Sequence, residues 1–168
     1  SVDCGSSDHK IISKLADGGV KVIITDHHEV SSRPEGATAF INPKLPREGY
    51  PFKELTGSGV AFKLLQGLEK RIGVSLALRR YLDLVAVGTL GDYASVGGEN
   101  RLLVSSGMEV LQQWRRPGLS VLRKMSGLPV DGFSPRRVCF TIVPRINSPG
   151  RMGSAKDVVQ LLITDDLK

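Results

Sequence analysis

The sequence predicts an α/β fold, a partial, Rossmann-like parallel sheet at the front with a mostly helical second half. Three observations carry this expectation. The β-branched run Val20-Lys21-Val22-Ile23-Ile24 reads as a buried strand. Shorter strand patterns lie around Val2 and over residues 37–41, with a helical pattern between the first strand and the second. Beyond residue 57 the apolar positions recur at helical spacing almost to the end, as in a sheet whose later half is a helical cover.

Taken in order, residues 1–7 read as a strand end running into a small-residue turn, with Asp3 at the tip. Ser7 is the expected N-cap of a helix over residues 8–17, whose face Ile11, Ile12, Leu15 and Ala16 is closed off by Gly18-Gly19. The second strand then delivers Asp26 and His27 where it ends. A right-handed crossover would make these two strands parallel and put their carboxyl ends on one edge. Residues 37–41 form a third short strand stopped by Asn42-Pro43, and residues 44–52 a loop punctuated by Pro and Gly. Helices are expected over residues 58–72, 82–87, 100–114, 117–125, 134–143 and 154–163. Pro144 should interrupt the fifth of these and Pro149-Gly150 force a turn. There is no internal repeat and no low-complexity tract.

At 168 residues and 40% hydrophobic content the chain can bury one core, so a single domain is expected. The net charge of +6 and pI near 9.5 suit a polyanionic partner. The pairs Arg79-Arg80, Arg115-Arg116, Arg123-Lys124 and Arg136-Arg137 carry much of that excess, and each reads first as a solvated helix face. Cys4 and Cys139 have neither a zinc spacing nor a disulfide framework, which points to reduced thiols. No apolar run approaches the roughly 18 residues of a membrane span, and a soluble cytoplasmic location is expected.

The chemistry concentrates in Thr25-Asp26-His27-His28-Glu29, directly after the second strand. In open α/β sheets the carboxyl edge is where sites form. A carboxylate beside two imidazoles offers hard oxygen and borderline nitrogen ligands, suited to Mn²⁺, Fe²⁺, Co²⁺ or Zn²⁺ more than to Ca²⁺. The competing reading is a polar turn, but the chain has only three histidines and two of them stand here. Asp3 ends a neighbouring strand and can share an ion with His27. Asp92, after Gly88-Thr89-Leu90-Gly91, is either a third ligand or an ordinary turn Asp. Arg145, Asn147 and Arg151, expected on an irregular segment between prolines, could grip phosphate oxygens or fix the loop. Gly57-Ser58-Gly59 lacks the Lys and spacing of a P-loop and reads as a helix start with close packing. His9 is expected at the surface, and Trp114 in core or edge packing.

Asp3, the Asp26-His27-His28 block, Gly88-Thr89-Leu90-Gly91-Asp92, Glu99-Asn100-Arg101 and the segment from Pro144 to Arg151 together resemble, in this order, the DHH phosphoesterase superfamily. The Glu-Asn-Arg and Arg-Ile-Asn-Ser-Pro-Gly-Arg segments resemble its RecJ branch of exonucleases, and the resemblance covers nearly the whole chain. It implies a DHH-type domain that hydrolyses single-stranded DNA 5′ to 3′ in repair and recombination. Asp3 would bridge two divalent metals, Mn²⁺ or Mg²⁺, with His27 and Asp92 on one of them. Asp26 would orient His27, and His28 would face the scissile phosphate. Arg145, Asn147 and Arg151 would close over the substrate. Single-strand-binding protein and a helicase are the further partners implied.

The family's first aspartate motif lies upstream of the position of Asp3. Residues 1–168 therefore read as a fragment of a single DHH-type catalytic domain, truncated upstream of Asp3 and before the downstream DHH-associated domain. Such a fragment should hold at most one metal tightly and be inactive alone. Two alternatives remain at this level: a DHH-fold module that binds nucleic acid or a partner without catalysis, and a small-nucleotide phosphodiesterase of the same superfamily.

Overall fold

The computed structural model describes residues 2–46 and 49–166. Ser1, part of the expected first strand, and Arg47 and Glu48, within the expected loop, lie outside the described residues. The chain forms two compact units: residues 1–78 with 94–101, and residues 79–93 with 102–168.

The first unit holds the sheet. Helix α1 (His9–Asp17) precedes strand β1 (Ile23–Thr25), which pairs in parallel with β2 (Ala39–Ile41), Ile24 opposite Phe40. Val2 makes a parallel bridge to Thr25, so β1 is flanked on both sides and all three segments end on one edge. Ile12, Ile24 and Ala37 form the small core beneath, with Val22 and Phe40 packed on it. The strands are only three residues long because the ladder ends early. Val22 is tied to Thr38 through the Thr38 hydroxyl and backbone instead. Helix α1 begins one residue later than expected, with Asp8 at its cap and no side-chain cap bond. Ser7 is not its N-cap, because Gly5, at φ 111°, winds the preceding turn so that Ser6 faces inward.

Helix α2 (Gly57–Ile72) packs against β1. Thr56 caps it by accepting from the Gly59 N–H, and Gly73 closes it in the left-handed conformation, the usual helix stop. Beside it, Glu99 accepts from the Tyr50 hydroxyl at 2.7 Å and pairs with Lys63 at 2.8 Å. Asn100, fully buried, donates to the carbonyls of Glu54 and Ser95. The Glu-Asn part of the motif that marked the resemblance thus stitches loops in the first unit.

Burial raises the pKa of Glu99, but hydrogen bonds from Lys63 and Tyr50 and the lysine charge outweigh it and bring it below the usual value. Burial first, then the Glu99 carboxylate, push Tyr50 well above its ordinary 10.0. Glu99, with its folded pKa depressed, stabilises above its unfolded value and loses that contribution as pH falls. Tyr50, with its folded pKa raised, stabilises below pH 10.0 and loses that contribution as pH rises. Glu99→Gln should therefore cost about 1.5–3 kcal/mol near neutral pH and flatten both limbs of a stability-against-pH curve from urea titrations. Limbs as steep as wild type would remove the triad from the stability account.

The second unit is helical: α3 (Leu82–Gly91), α4 (Gly98–Leu111), whose first turn counts with the first unit, α5 (Pro117–Met125), α6 (Pro135–Met152) and α7 (Lys156–Ile163). Helix α3 is buried nearly all round. Its Val87 and Leu90 join Met108, Leu111, Leu119, Leu122, Ile142 and Val143 in the larger core. Asp83, inside this core, is held by Arg116 through Nε at 3.1 Å, and Arg116 also donates to the Leu162 carbonyl. One cation of the Arg115-Arg116 pair, expected on a solvated helix face, is thereby used internally instead. Trp114 packs on Phe133 and donates to the Val130 carbonyl.

The expectation that α6 breaks at Pro144 and turns at Pro149-Gly150 is corrected: the helix runs through both prolines. An interior proline costs about 3 kcal/mol. Val138, Ile142 and Val143, at 0%, 0% and 2% exposure, each contribute roughly 1.5–3 kcal/mol by burial. Packing against α3 therefore wins around Pro144, and Pro149, in the last turn, forfeits only its own N–H bond with little helix left beyond it to disrupt.

Candidate metal and phosphate site

The sheet edge assembles four donors. Asp3 follows the bridge residue Val2 with φ 62°, a left-handed backbone that Asp tolerates better than most residues. Its N–H donates to the Thr25 carbonyl at 2.8 Å, which fixes the turn against β1. The Asp3 carboxylate lies against the first residue of α2, so close that a Cβ on Gly57 would sit 2.1 Å from Oδ1. Across from it, Asp3 Oδ1 is 3.0 Å from His27 Nε2.

Asp26 leaves the end of β1 almost fully buried. Its Oδ1 accepts from the backbone N–H of His27 at 2.8 Å and lies 2.7 Å from His28 Nδ1, while Oδ2 accepts from the Ser6 N–H at 2.9 Å. The expected partner of Asp26 was the His27 ring; the imidazole found on it is that of His28, and His27 is held through its main chain. The two rings lie side by side, centroids 4.6 Å apart and tilted at 49°, yet each meets a different carboxylate, His27 that of Asp3 and His28 that of Asp26.

Burial pushes the Asp26 carboxyl upward. Hydrogen bonds from the Ser6 hydroxyl, His28, and the Ser6 and His27 N–H groups outweigh it and hold the carboxyl well below the usual range. An ionised carboxylate only accepts, so His28 carries its proton on Nδ1 and turns Nε2 outward, its side chain 60% exposed.

Ligand atoms of Asp3, Asp26, His27 and His28 lie within 4.8 Å of one another. With Asp26 engaged by Ser6, His27 and His28, the Asp3 carboxylate and the His27 imidazole are the pair that fits a divalent ion taking oxygen and nitrogen, which favours Mn²⁺ and accommodates Mg²⁺ through the oxygens.

Asp92 is in the second unit, at the C-cap of α3, its N–H donating to the Gly88 carbonyl at 3.0 Å; its side chain is exposed. Arg145, Asn147 and Arg151 are exposed on α6, not on an irregular loop. Asn147 and Arg151, four residues apart, share a helix face. Arg145 does not share it, and it donates to the Thr141 carbonyl at 2.7 Å. His9 is exposed on α1, and neither Cys4 nor Cys139 is in a disulfide. Among the described residues no helix is long and apolar enough to cross a membrane.

Sequence reasoning did not single out Ser6, Asn42 or the contact of Gly57 with Asp3. Asn42 was detectable in principle: it follows β2 as Asp26 follows β1, so the rule that found Asp26 applies to it.

Residues 1–89 match the family model for the DHH family, N-terminal domain. The single-stranded-DNA-specific exonuclease RecJ of Bacillus subtilis is 41% identical over 148 residues, 88% of this chain and 18% of the relative. A crystal structure of exonuclease RecJ bound to manganese superposes with a TM-score of 0.84 at 38% identity, over 98% of this chain and 41% of that one. RecJ from Thermus thermophilus in complex with Mg²⁺ gives a TM-score of 0.73 at 37% identity, over 98% of this chain and 22% of that one. The chain thus spans less than a third of the curated relative it matches.

Proposed function

The chain belongs to the DHH family, and from that premise we propose that the protein is a metal-dependent nuclease that hydrolyses single-stranded DNA from its 5′ end. The observation that carries the proposal is the convergence of Asp3, Asp26, His27 and His28 at one sheet edge. The likeness to a relative named as a single-stranded-DNA-specific exonuclease supplies the substrate class.

Asp3 and His27 are the residues that would hold a divalent ion, Mn²⁺ or Mg²⁺. Asp92 joins them on the family resemblance alone, as does a second ion. A bound cation of this kind supplies Lewis acidity to the phosphoryl oxygens and lowers the pKa of water. The rest is work for the chain's own groups. Asp26 locks the His28 ring, so that Nε2 is presented toward the scissile phosphate as an acceptor or, once protonated, a donor. Asn147 and Arg151, on one face of α6, bind backbone phosphates. Residues 1–168 are read as part of the catalytic domain, with single-strand-binding protein and a helicase as partners in the cytoplasm.

The test is to incubate the intact protein and Mn²⁺ with 5′-phosphorylated single-stranded DNA, the same DNA as duplex, and a dinucleotide. Single-stranded DNA should be degraded fastest; preference for the dinucleotide would move the substrate class to small nucleotides. His27→Ala should weaken Mn²⁺ binding in calorimetry by more than tenfold with the fold retained, and equal affinities would strike His27 from the ligands. Arg151→Ala should leave Mn²⁺ affinity alone and lower the salt slope of DNA binding by about 0.7, one phosphate's worth on a single strand. An unchanged slope would return Arg151 to a structural role.

A further inference from the structure

We propose that Ser6 and Asn42 are positioning residues for His28, acting through Asp26 and through the His28 main chain. The inference rests on the nuclease reading for its effect on turnover, but not for the arrangement itself.

Three strand-end segments meet at this network. Ser6 follows the Val2 bridge, Asp26 and His28 follow β1, and Asn42 follows β2. Ser6, Asp26 and Asn42 are 3%, 1% and 5% exposed, so each polar atom must find a partner inside the protein. Asn42 does so with its whole amide. Nδ2 donates one proton to Ser6 Oγ at 3.0 Å and the other to the His28 carbonyl at 3.0 Å, and Oδ1 accepts from the Lys44 N–H at 2.9 Å.

With its oxygen accepting from Asn42, the Ser6 hydroxyl is left to donate, and its acceptor is the Asp26 carboxylate, which also takes the Ser6 N–H. Asp26 Oδ1 then holds His28 Nδ1. His28 is therefore gripped twice from one amide, at the ring through Ser6 and Asp26 and at the carbonyl directly. An exposed imidazole on a chain turn has free χ1 and χ2 rotation; this network removes it. The direction of the chain matters too. Asn42 supplies two donors that an aspartate of the same shape cannot, so the site reads amide from carboxylate at that position.

The experiment is made on the intact protein with Ser6→Ala, Asn42→Asp and His28→Gln, singly and combined. In nitrogen-15 spectra of histidine-labelled protein, the His28 ring signals are identified by their absence in His28→Gln. The wild type should show one tautomer with the proton on Nδ1, and Ser6→Ala and Asn42→Asp should each shift or average that signal. On 5′-phosphorylated single-stranded DNA, Ser6→Ala should lower kcat about tenfold with KM and Mn²⁺ affinity unmoved. Added to His28→Gln, it should lower kcat no further, since a positioning residue has nothing left to position. An unaltered His28 signal in both variants, or a full tenfold loss on top of His28→Gln, would overturn the proposal. Absence of turnover in the wild type would count against the nuclease reading only, because the spectra still decide whether Ser6 and Asn42 hold the ring.

Discussion

Gly57→Ala should weaken Mn²⁺ binding roughly ten- to a hundredfold, the range seen when a group supporting a metal ligand is lost, while the protein stays folded. The added Cβ would lie 2.1 Å from Asp3 Oδ1, 2.7 Å from Cγ and 3.0 Å from Cβ. The whole side chain, not its tip alone, is in the way. Asp3 cannot retreat as a unit, because its N–H is bound to Thr25 and its backbone is already left-handed. The carboxylate must rotate out of reach of His27 Nε2, now 3.0 Å away. The stability cost should be small, since the Asp3 side chain is 60% exposed. Gly67→Ala, on the same helix with nothing within 4 Å of the new Cβ, is the control. It should leave metal affinity unchanged and raise stability by up to about 1 kcal/mol through helix propensity. Wild-type affinity in Gly57→Ala would show that Asp3 does not need its present orientation to serve the ion.

The parallel alignment of the Val2 segment with β1 was legible because its signals are local and strong, although that segment forms an isolated bridge and not the expected strand. A β-branched run sets β1, and Gly18-Gly19 stops α1. Helix α5 follows from Pro117 at its first position, a place where proline's missing N–H costs nothing. Two of the misreadings came from local rules overridden by tertiary context. Pro144 obeys the helix-breaking rule in isolation but lies beside Ile142 and Val143, whose burial against α3 holds the helix together. Ser7 has the composition of an N-cap, yet the turn is shaped by Gly5 and by the pull of Asp26 on Ser6.

For the site, adjacency in sequence was informative and the division of labour was not. Asp26, His27 and His28 announce a strand-end cluster, but which ring meets Asp26 depends on how the chain turns after Thr25. No periodicity encodes that turn. Asn42, sixteen residues after Asp26, could be read as a strand-end residue, but its link to Ser6, twenty residues before Asp26, becomes visible only when parallel pairing places the ends of neighbouring segments side by side. Similarly, the basic pairs looked alike in sequence. Arg116 is absorbed by buried Asp83 and Arg79 pairs with Glu109, and α6 retains exposed cations of its own.

Gly118→Ala should be the most damaging single methyl in the second unit, lowering stability by about 3 kcal/mol or more. Gly118 is the second residue of α5, where the helix runs against α7. A Cβ there would sit 1.9 Å from the Leu161 carbonyl oxygen and 2.7 Å from its carbon. Both are backbone atoms within α7 and cannot rotate aside as a side-chain tip would. Relief therefore requires α7 to move bodily off α5. That motion also strains the bond from Arg116 to the Leu162 carbonyl, 3.0 Å long, in the guanidinium that neutralises Asp83. At about 2–4 °C per kcal/mol for a protein of this size, a fall of roughly 6–12 °C in Tm is expected. Amide exchange across α7 should accelerate before the rest of the unit. Because α7 also packs on α6, which presents Asn147 and Arg151, DNA affinity should drop with Mn²⁺ affinity untouched, the inverse of the Gly57→Ala pattern. A Tm within a degree or two of wild type, with α7 amides still protected, would mean that the α5–α7 contact yields without cost and is not what fixes α7.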